Sequence, residues 1–237
     1  MYLQICTKCN MKCAHCGFAC TNRGTFMTKN IFEAACKLAA GHDECIFLGG
    51  GEPTLHPEFW EFLGIAMKYS ASNCEDHRVS LVTNGKKAKD AIALAKLARQ
   101  GIISAALSQD EYHEPIDEMV VQAFRGKPRD PWSYRPEDHR DFREIRTVSR
   151  IIARGRGINI SGAVDECICP ELFVKPDGRI FHCACDDAPQ YGTVLKPRLP
   201  KDFEGDCYEN ITKIVIEEMA TLGGDGELAG DLVGIEA

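Results

Sequence analysis

What this sequence of 237 residues lacks already narrows its class. It has no run of about 18 apolar residues, so no helix long enough to cross a bilayer is expected. Its opening, Met1-Tyr2-Leu3-Gln4-Ile5-Cys6, has neither a basic region nor a long apolar stretch, so no secretory signal is read there. An excess of positive charge is also missing. There are 28 Lys and Arg against 35 Asp and Glu, a net charge of −7. No Lys or Arg follows Lys213, and six acids lie from Glu217 onward, so the rest of the chain is nearly neutral. Extended tracking of a nucleic-acid backbone needs many phosphate contacts and is not expected. No internal repeat is found, and no separate leader-peptide-binding segment is read ahead of the first strand. The length fits one domain, or one with a small appendage. At 44% hydrophobic and 27% charged, the composition is that of an ordinary globular chain.

Cysteine, by contrast, is abundant, with 13 in all and none between Cys74 and Cys167. With no secretory signal and a chain too long for a disulfide-stapled miniprotein, metal binding in a reducing, cytoplasmic setting is the expected use. Cys6, Cys9, Cys13, Cys16 and Cys20 crowd the first twenty residues. Cys167, Cys169, Cys183, Cys185 and Cys207 form a second group near the C-terminus. Two metal sites are expected.

Between the two groups, short apolar runs alternate with helical patterns. Strands are expected at Tyr2–Ile5, Cys45–Leu48, Val79–Thr83, Ile102–Leu107 and Arg143–Ile152, with a sixth at Ile158–Ile160. Helices are expected from Thr28 to Gly41, Pro57 to Tyr69, Lys86 to Arg99 and Ile116 to Phe124. The third would bury a stripe at Ala88, Ile92, Ala95 and Leu97. Arg125 to Asp141 reads as a charged loop. Alternating strands and helices imply parallel βαβ units, here an α/β fold built as a partial, TIM-like (β/α)5-6 barrel. In such folds the chemistry gathers at the carboxyl ends of the strands. The cysteine loop, Gly49-Gly50-Gly51, Thr83-Asn84-Gly85 and Ser108-Gln109-Asp110 all fall there.

Cys9, Cys13 and Cys16 are spaced C-x3-C-x2-C. Three thiolates on one tight loop suit three corners of a [4Fe–4S] cube and leave the fourth iron open, with a zinc knuckle as the alternative. Followed by Gly49-Gly50-Gly51-Glu52-Pro53 after the second strand, the motif resembles the radical S-adenosylmethionine (SAM) superfamily over about residues 1–165. The resemblance implies that Cys9, Cys13 and Cys16 ligate the cluster and that SAM chelates the fourth iron. It further implies that Gly49, Gly50, Gly51 and Glu52 meet the SAM amino group, the glycines letting carbonyls approach and Glu52 adding charge. Asn84 and Ser108 would border the SAM pocket, His15 would lie against the adenine, and Arg156 would reach SAM or a substrate carboxylate. The implied reaction is reductive cleavage of SAM to a 5′-deoxyadenosyl radical, which abstracts hydrogen from a substrate C–H bond. Flavodoxin or ferredoxin is the implied electron donor. His113 and Tyr112 can move protons or line the substrate pocket, unless that segment serves only to start a helix.

Near the C-terminus, Cys167-Ile168-Cys169 precedes a hairpin with a Pro176-Asp177-Gly178 turn, and Cys183-Ala184-Cys185 follows it. Cys207 precedes a helix expected at about Asn210 to Met219. The spacing C-x10-G-x4-C resembles the SPASM/twitch extensions of radical SAM enzymes. That implies one auxiliary [4Fe–4S] cluster drawn from Cys167, Cys169, Cys183, Cys185 and Cys207, with zinc or free thiols as alternatives. The expected domains are a core at 1–165, a cysteine-rich hairpin and helix extension at 166–220, and an acidic, glycine-rich tail at 221–237. The substrate expected from the resemblance is a peptide or protein side chain. The alternatives are a nucleotide, nucleobase or other small molecule, with the basic stretch Arg125–Arg156 and its Trp132 and Tyr134 as contacts, or a non-catalytic Fe–S or zinc module. The intact Gly-Gly-Glu segment argues against the last.

Overall fold

A computed structural model describes residues 1–42, 44–70, 79–126, 141–148, 150–164 and 172–200. The first strand, β1 (Tyr2–Cys6), is central. Its alternation turns Leu3 and Ile5 into one core and leaves Tyr2 and Gln4 on the opposite face. After the cysteine loop comes α1 (Lys29–Gly41), which begins after Thr28 with no side-chain cap. It buries Phe32, Ala35, Cys36 and Ala39, the i, i+3, i+4, i+7 set of one helix face. Next are β2 (Phe47–Gly50) and α2 (Phe59–Tyr69), the latter burying Phe59, Phe62, Leu63 and Ala66. The pattern repeats with β3 (Ser80–Thr83), α3 (Ala88–Arg99) and β4 (Ser104–Ser108). Gly101, at φ 74°, turns the chain out of α3. Asp117 caps α4 (Glu118–Phe124) by accepting from the Met119 amide at 2.8 Å, and β5 (Arg143–Arg146) follows.

All strands among the described residues lie in one sheet, ordered β5-β4-β3-β2-β1-β6-β7-β8-β9. Pairing is parallel from β5 through β6 (Phe173–Val174) and antiparallel through β7 (Arg179–Phe181), β8 (Gln190–Thr193) and β9 (Lys196–Pro197). The four helices and the strand residues Leu3, Leu48, Leu81 and Leu107 form the main core. A smaller core of Phe173, Phe181, Cys183 and Ala188, flanked by Tyr2 and Phe18, lies apart from it.

Three expectations are corrected. The buried stripe of α3 is Ala91, Leu94, Ala95 and Ala98; Ala88, Ile92 and Leu97 pack at its edge. Three alanines let the helix approach the sheet closely, and the larger side chains flank that contact. The fifth strand stops at Arg146 rather than Ile152. Ile158–Ile160 is not a strand: Gly157–Asn159 is a single 3-10 turn. The sixth parallel position is taken by β6, on the far side of β1. The Pro-Asp-Gly turn is as expected: Gly178, at φ 85°, donates its amide to the Lys175 carbonyl at 2.8 Å. Most of the Arg125–Asp141 loop, with Trp132 and Tyr134, lies outside the described residues, as do Cys167, Cys169, Cys207, the Asn210–Met219 helix and the 221–237 tail. Among the described cysteines Cys45 is disulfide-bonded, whereas Cys6, Cys9, Cys13, Cys16, Cys20 and Cys36 are free thiols. No helix among the described residues is long and apolar enough to cross a membrane.

Candidate active site

The cysteine loop leaves β1 and folds back on itself. The Thr7 amide donates to the Thr25 carbonyl at 2.9 Å, and that of Cys9 to Thr21 at 2.8 Å. Its tip is braced from the distant Arg154–Gly157 turn. The Arg156 Nε donates to the Cys13 carbonyl at 2.9 Å, its Nη1 to the Cys20 carbonyl at 2.8 Å, and its backbone amide to the Cys16 carbonyl at 3.0 Å. Gly155 adopts φ 53°, and a Cβ there would strike the Cys16 and Gly17 carbonyls, so only glycine fits. Two of the guanidinium nitrogens of Arg156 are thus spent on holding the loop, a role spacing could not show.

Cys9, Cys13 and Cys16 face one cavity of about 320 Å³. Burial raises the thiols of Cys9 and Cys13, the latter to about 11, and the neighbouring cysteines push both the same way. A hydrogen bond from the Cys20 thiol pulls Cys16 down and raises Cys20. Three converging, partly desolvated sulfurs can all be thiolates only if a cation shares their charge, so the donor set fits a metal cluster.

Gly49, Gly50, Gly51 and Glu52 line the same cavity. The segment continues β2 alongside the cysteine loop: Gly51 donates to the Cys6 carbonyl and Glu52 to the Lys8 carbonyl, each at 2.8 Å. The Gly50 amide donates to the Tyr2 hydroxyl at 2.9 Å. A Cβ would collide with Tyr2 at Gly49, with the Cys6 carbonyl at Gly50 and with the Lys8 carbonyl at Gly51. Within the chain, these glycines are required by contact with β1 and the cysteine loop. The Glu52 carboxylate is 1% exposed. Its Oε1 accepts from the Thr54 amide at 3.1 Å, the Thr54 hydroxyl at 2.7 Å and the Thr83 hydroxyl at 2.9 Å. Among the described residues its Oε2 accepts only the Asn84 amide, at 2.7 Å. Glu52 therefore ties the ends of β2 and β3 together, with lone-pair capacity remaining on Oε2. Burial pushes its carboxyl above the usual range, and the four donors oppose that shift.

The family profile of the Radical SAM superfamily matches residues 3–152. The chain belongs to the Radical SAM superfamily. Mycofactocin maturase MftC of Mycobacterium ulcerans is 27% identical over 114 residues, 47% of this chain and 29% of that protein. MftC of Mycolicibacterium smegmatis is 27% identical over 124 residues, covering 50% of this chain and 28% of that protein. The chain thus matches less than a third of the length of these relatives. Among solved structures, BtrN in complex with AdoMet and 2-DOIA superposes with a TM-score of 0.60 at 16% identity, covering 94% of this chain and 88% of BtrN. AnSMEcpe with bound AdoMet and Kp18Cys peptide gives 0.53 at 17%, covering 89% and 81%. These likenesses show a shared fold. Membership of the superfamily implies a [4Fe–4S] cluster and SAM as cofactors.

The remaining expected residues of the radical SAM site meet in the same cavity. Asn84, Ser108, His15 and Arg156 all line it. The Asn84 Nδ2 donates to the Asn10 Oδ1 at 2.9 Å and approaches the Cys9 sulfur at 3.7 Å. His15 packs against His113 and Tyr112, with ring centroids 4.9 and 5.2 Å apart, and its buried Nδ1 meets no partner among the described residues. Burial lowers its pKa and so favours the neutral ring. His113 Nδ1 lies 2.7 Å from the Asp110 Oδ1. Burial pushes the Asp110 carboxyl up, but His113 and the Tyr112 amide outweigh it, leaving the carboxyl below its usual range. The pair fixes the His113 ring where it borders the cavity. Tyr2, Phe47, Val82 and Thr83 also line the cavity. For Tyr2 the signal was there, in the same strand alternation that buries Leu3. Of the C-terminal cysteines, Cys183 is buried beside β7 and Cys185 is half-buried, its amide 3.4 Å from the Cys183 sulfur.

Proposed function

We propose that Cys9, Cys13 and Cys16 hold the [4Fe–4S] cluster, and that SAM lies in the cavity bounded by Gly49 to Glu52, Asn84, Ser108, His15 and Arg156. The observation that supports this is the convergence of all these residues, from β1, β2, β3, β4 and the Arg154–Gly157 turn, on one cavity of about 320 Å³. When bound, the cluster and SAM supply one-electron cleavage of the sulfonium and a carbon radical able to take hydrogen from a C–H bond. The chain's own part is to orient and exclude water. Arg156 and Asn84 fix the cysteine loop, Glu52 presents its Oε2 for an ammonium, and His113 with Asp110 holds or moves a proton at the cavity wall.

The substrate in this reading is a peptide side chain, supported by the peptide-bound fold neighbour. A small-molecule substrate is the second reading, supported by the neighbour bound to 2-DOIA. The parallel strands β1 to β5 of the 1–165 core, extended by β6, would form a partial barrel. Residues 166–220 would carry one auxiliary cluster on Cys183, Cys185 and partners among Cys167, Cys169 and Cys207, ahead of a tail at 221–237. A flavodoxin or ferredoxin in the cytoplasm would deliver the electron.

Iron, sulfide and SAM cleavage after anaerobic reconstitution test the reading. The Cys9→Ala/Cys13→Ala/Cys16→Ala variant is expected to lose SAM cleavage completely and to keep about four irons per chain. Loss of all iron would remove the auxiliary cluster, and retained SAM cleavage would overturn the assignment of the three cysteines.

A further inference from the structure

A second cavity, of about 420 Å³, lies beside the first, and both are lined by Phe18. Phe18 stacks on Phe173 at 5.5 Å and 19°, which gives the second cavity an aromatic wall. The alternation of β1 turns Gln4 into it. Gln4 is only 4% exposed, and its carboxamide makes no hydrogen bond among the described residues. Tyr2, on the same face of β1, shows the contrast, because its hydroxyl is met by the Gly50 amide. The Gln4 carboxamide opens on this cavity, where it can donate to and accept from what enters.

The charges around Gln4 are unequal in their commitments. Arg179 is held by Asp177 at 2.7 Å. Arg154 donates to the Ala184 carbonyl and lies 3.5 Å from Asp186. Lys175 has no carboxylate partner among the described residues; its ammonium sits 4.3 Å above the Phe181 ring. Apart from the Arg154 Nε, which is buried and has no partner among the described residues, the uncommitted groups are one carboxamide and one ammonium beside an apolar wall. A carboxamide donates and accepts in one plane, as a peptide amide does, and an ammonium matches a carboxylate. A phosphate would be better served by an arginine fork, and each arginine here already faces an aspartate.

We propose that this cavity anchors an acidic residue of a peptide, its backbone amide on Gln4 and its carboxylate on Lys175, next to the SAM cavity. The proposal rests on the peptide reading given above. The probe is acetyl-aspartate N-methylamide, titrated calorimetrically into the reconstituted, SAM-loaded protein against acetyl-asparagine N-methylamide, its neutral isostere. The aspartate probe is expected to bind about tenfold more tightly. Lys175→Met should abolish that preference while leaving SAM cleavage without substrate unchanged. Gln4→Met should weaken both probes by a similar factor, and the Lys175 variant stands alone if the Gln4 variant misfolds. No binding of the aspartate probe, equal affinity for the two probes, or a preference that survives Lys175→Met would each overturn the anchor. Because the titration reads binding alone, a protein that binds the aspartate probe yet modifies no peptide would sink the peptide reading of the reaction and leave the anchor standing.

Discussion

At Gly51 a single methyl group would wedge apart two loops that have to touch. A Cβ there meets the Lys8 carbonyl and the Cys9 side chain, and the Lys8 carbonyl also accepts the Glu52 amide. Neither side can yield without moving the cysteine loop. Gly51→Ala is therefore expected to cost about 1–3 kcal/mol, as overpacking does, and to lower the iron bound per chain. Thermal denaturation and an iron count check it; a variant that keeps both would show that the loops can part without consequence. The cysteine triplet was legible because its spacing is local. The brace at Glu52 was not, because its partners Thr83 and Asn84 stand 31 and 32 residues along the chain. Charge at position 52 suggested a ligand for an ammonium. The four donors converging on it show a structural duty as well.

Among the elements, β5 is an edge strand of four residues, paired on one side only. Its anchor is Arg143, whose Nε and Nη2 donate to the two carboxylate oxygens of Asp141 at 2.8 and 2.5 Å, while its Nη1 reaches the Ala123 carbonyl in α4 at 2.7 Å. Burial pushes the Asp141 carboxyl up, but the bonds and charge of Arg143 outweigh it and hold it below the usual 3.8. A depressed folded-state pKa gives stability that is complete above the unfolded value and is lost as pH falls through the folded one. Asp141→Asn should then cost about 1–2 kcal/mol at pH 7, discounted for partial exposure, with the gap closing as pH falls below 3.8. Urea unfolding of both proteins across that range tests it, and a gap that persists in acid would mean the pair is not its source. Element type was readable from the pattern of apolar residues along the chain. The phase of α3 was not, since Ala88, Ile92 and Leu97 are as apolar as Ala91, Leu94 and Ala98. Only packing against β4 and α4 decides which set is buried. The Ile158–Ile160 run likewise reads as a strand, until Gly155 and Gly157 pack beneath the cysteine loop and turn it.

At the scale of the whole molecule, a single sheet serves two cores with different duties. The larger, under the helices, holds the fold. The smaller joins the β6–β7 hairpin to the cysteine loop through Phe173, which stacks on Tyr2 at 5.3 Å and on Phe18 at 5.5 Å. That joint was not legible in the sequence, because a two-residue strand gives no sign of which sheet edge it will extend. The joint implies that stability and cluster binding separate by location. Phe173→Ala and Phe62→Ala both remove a buried ring, 2% and 0% exposed, so each should cost about 3–5 kcal/mol. Phe62 stacks on Phe32 at 4.1 Å in the main core, away from the sulfurs. The folded fraction of Phe62→Ala should therefore bind wild-type iron and cleave SAM at the wild-type rate. Phe173→Ala should lose iron at equal stability, because Phe18 and the loop that carries Cys16 lose their support. Iron per folded chain, plotted against unfolding free energy for the two variants, separates the cases. If both points fall on one line, the hairpin contributes stability alone and has no hold on the cysteine loop.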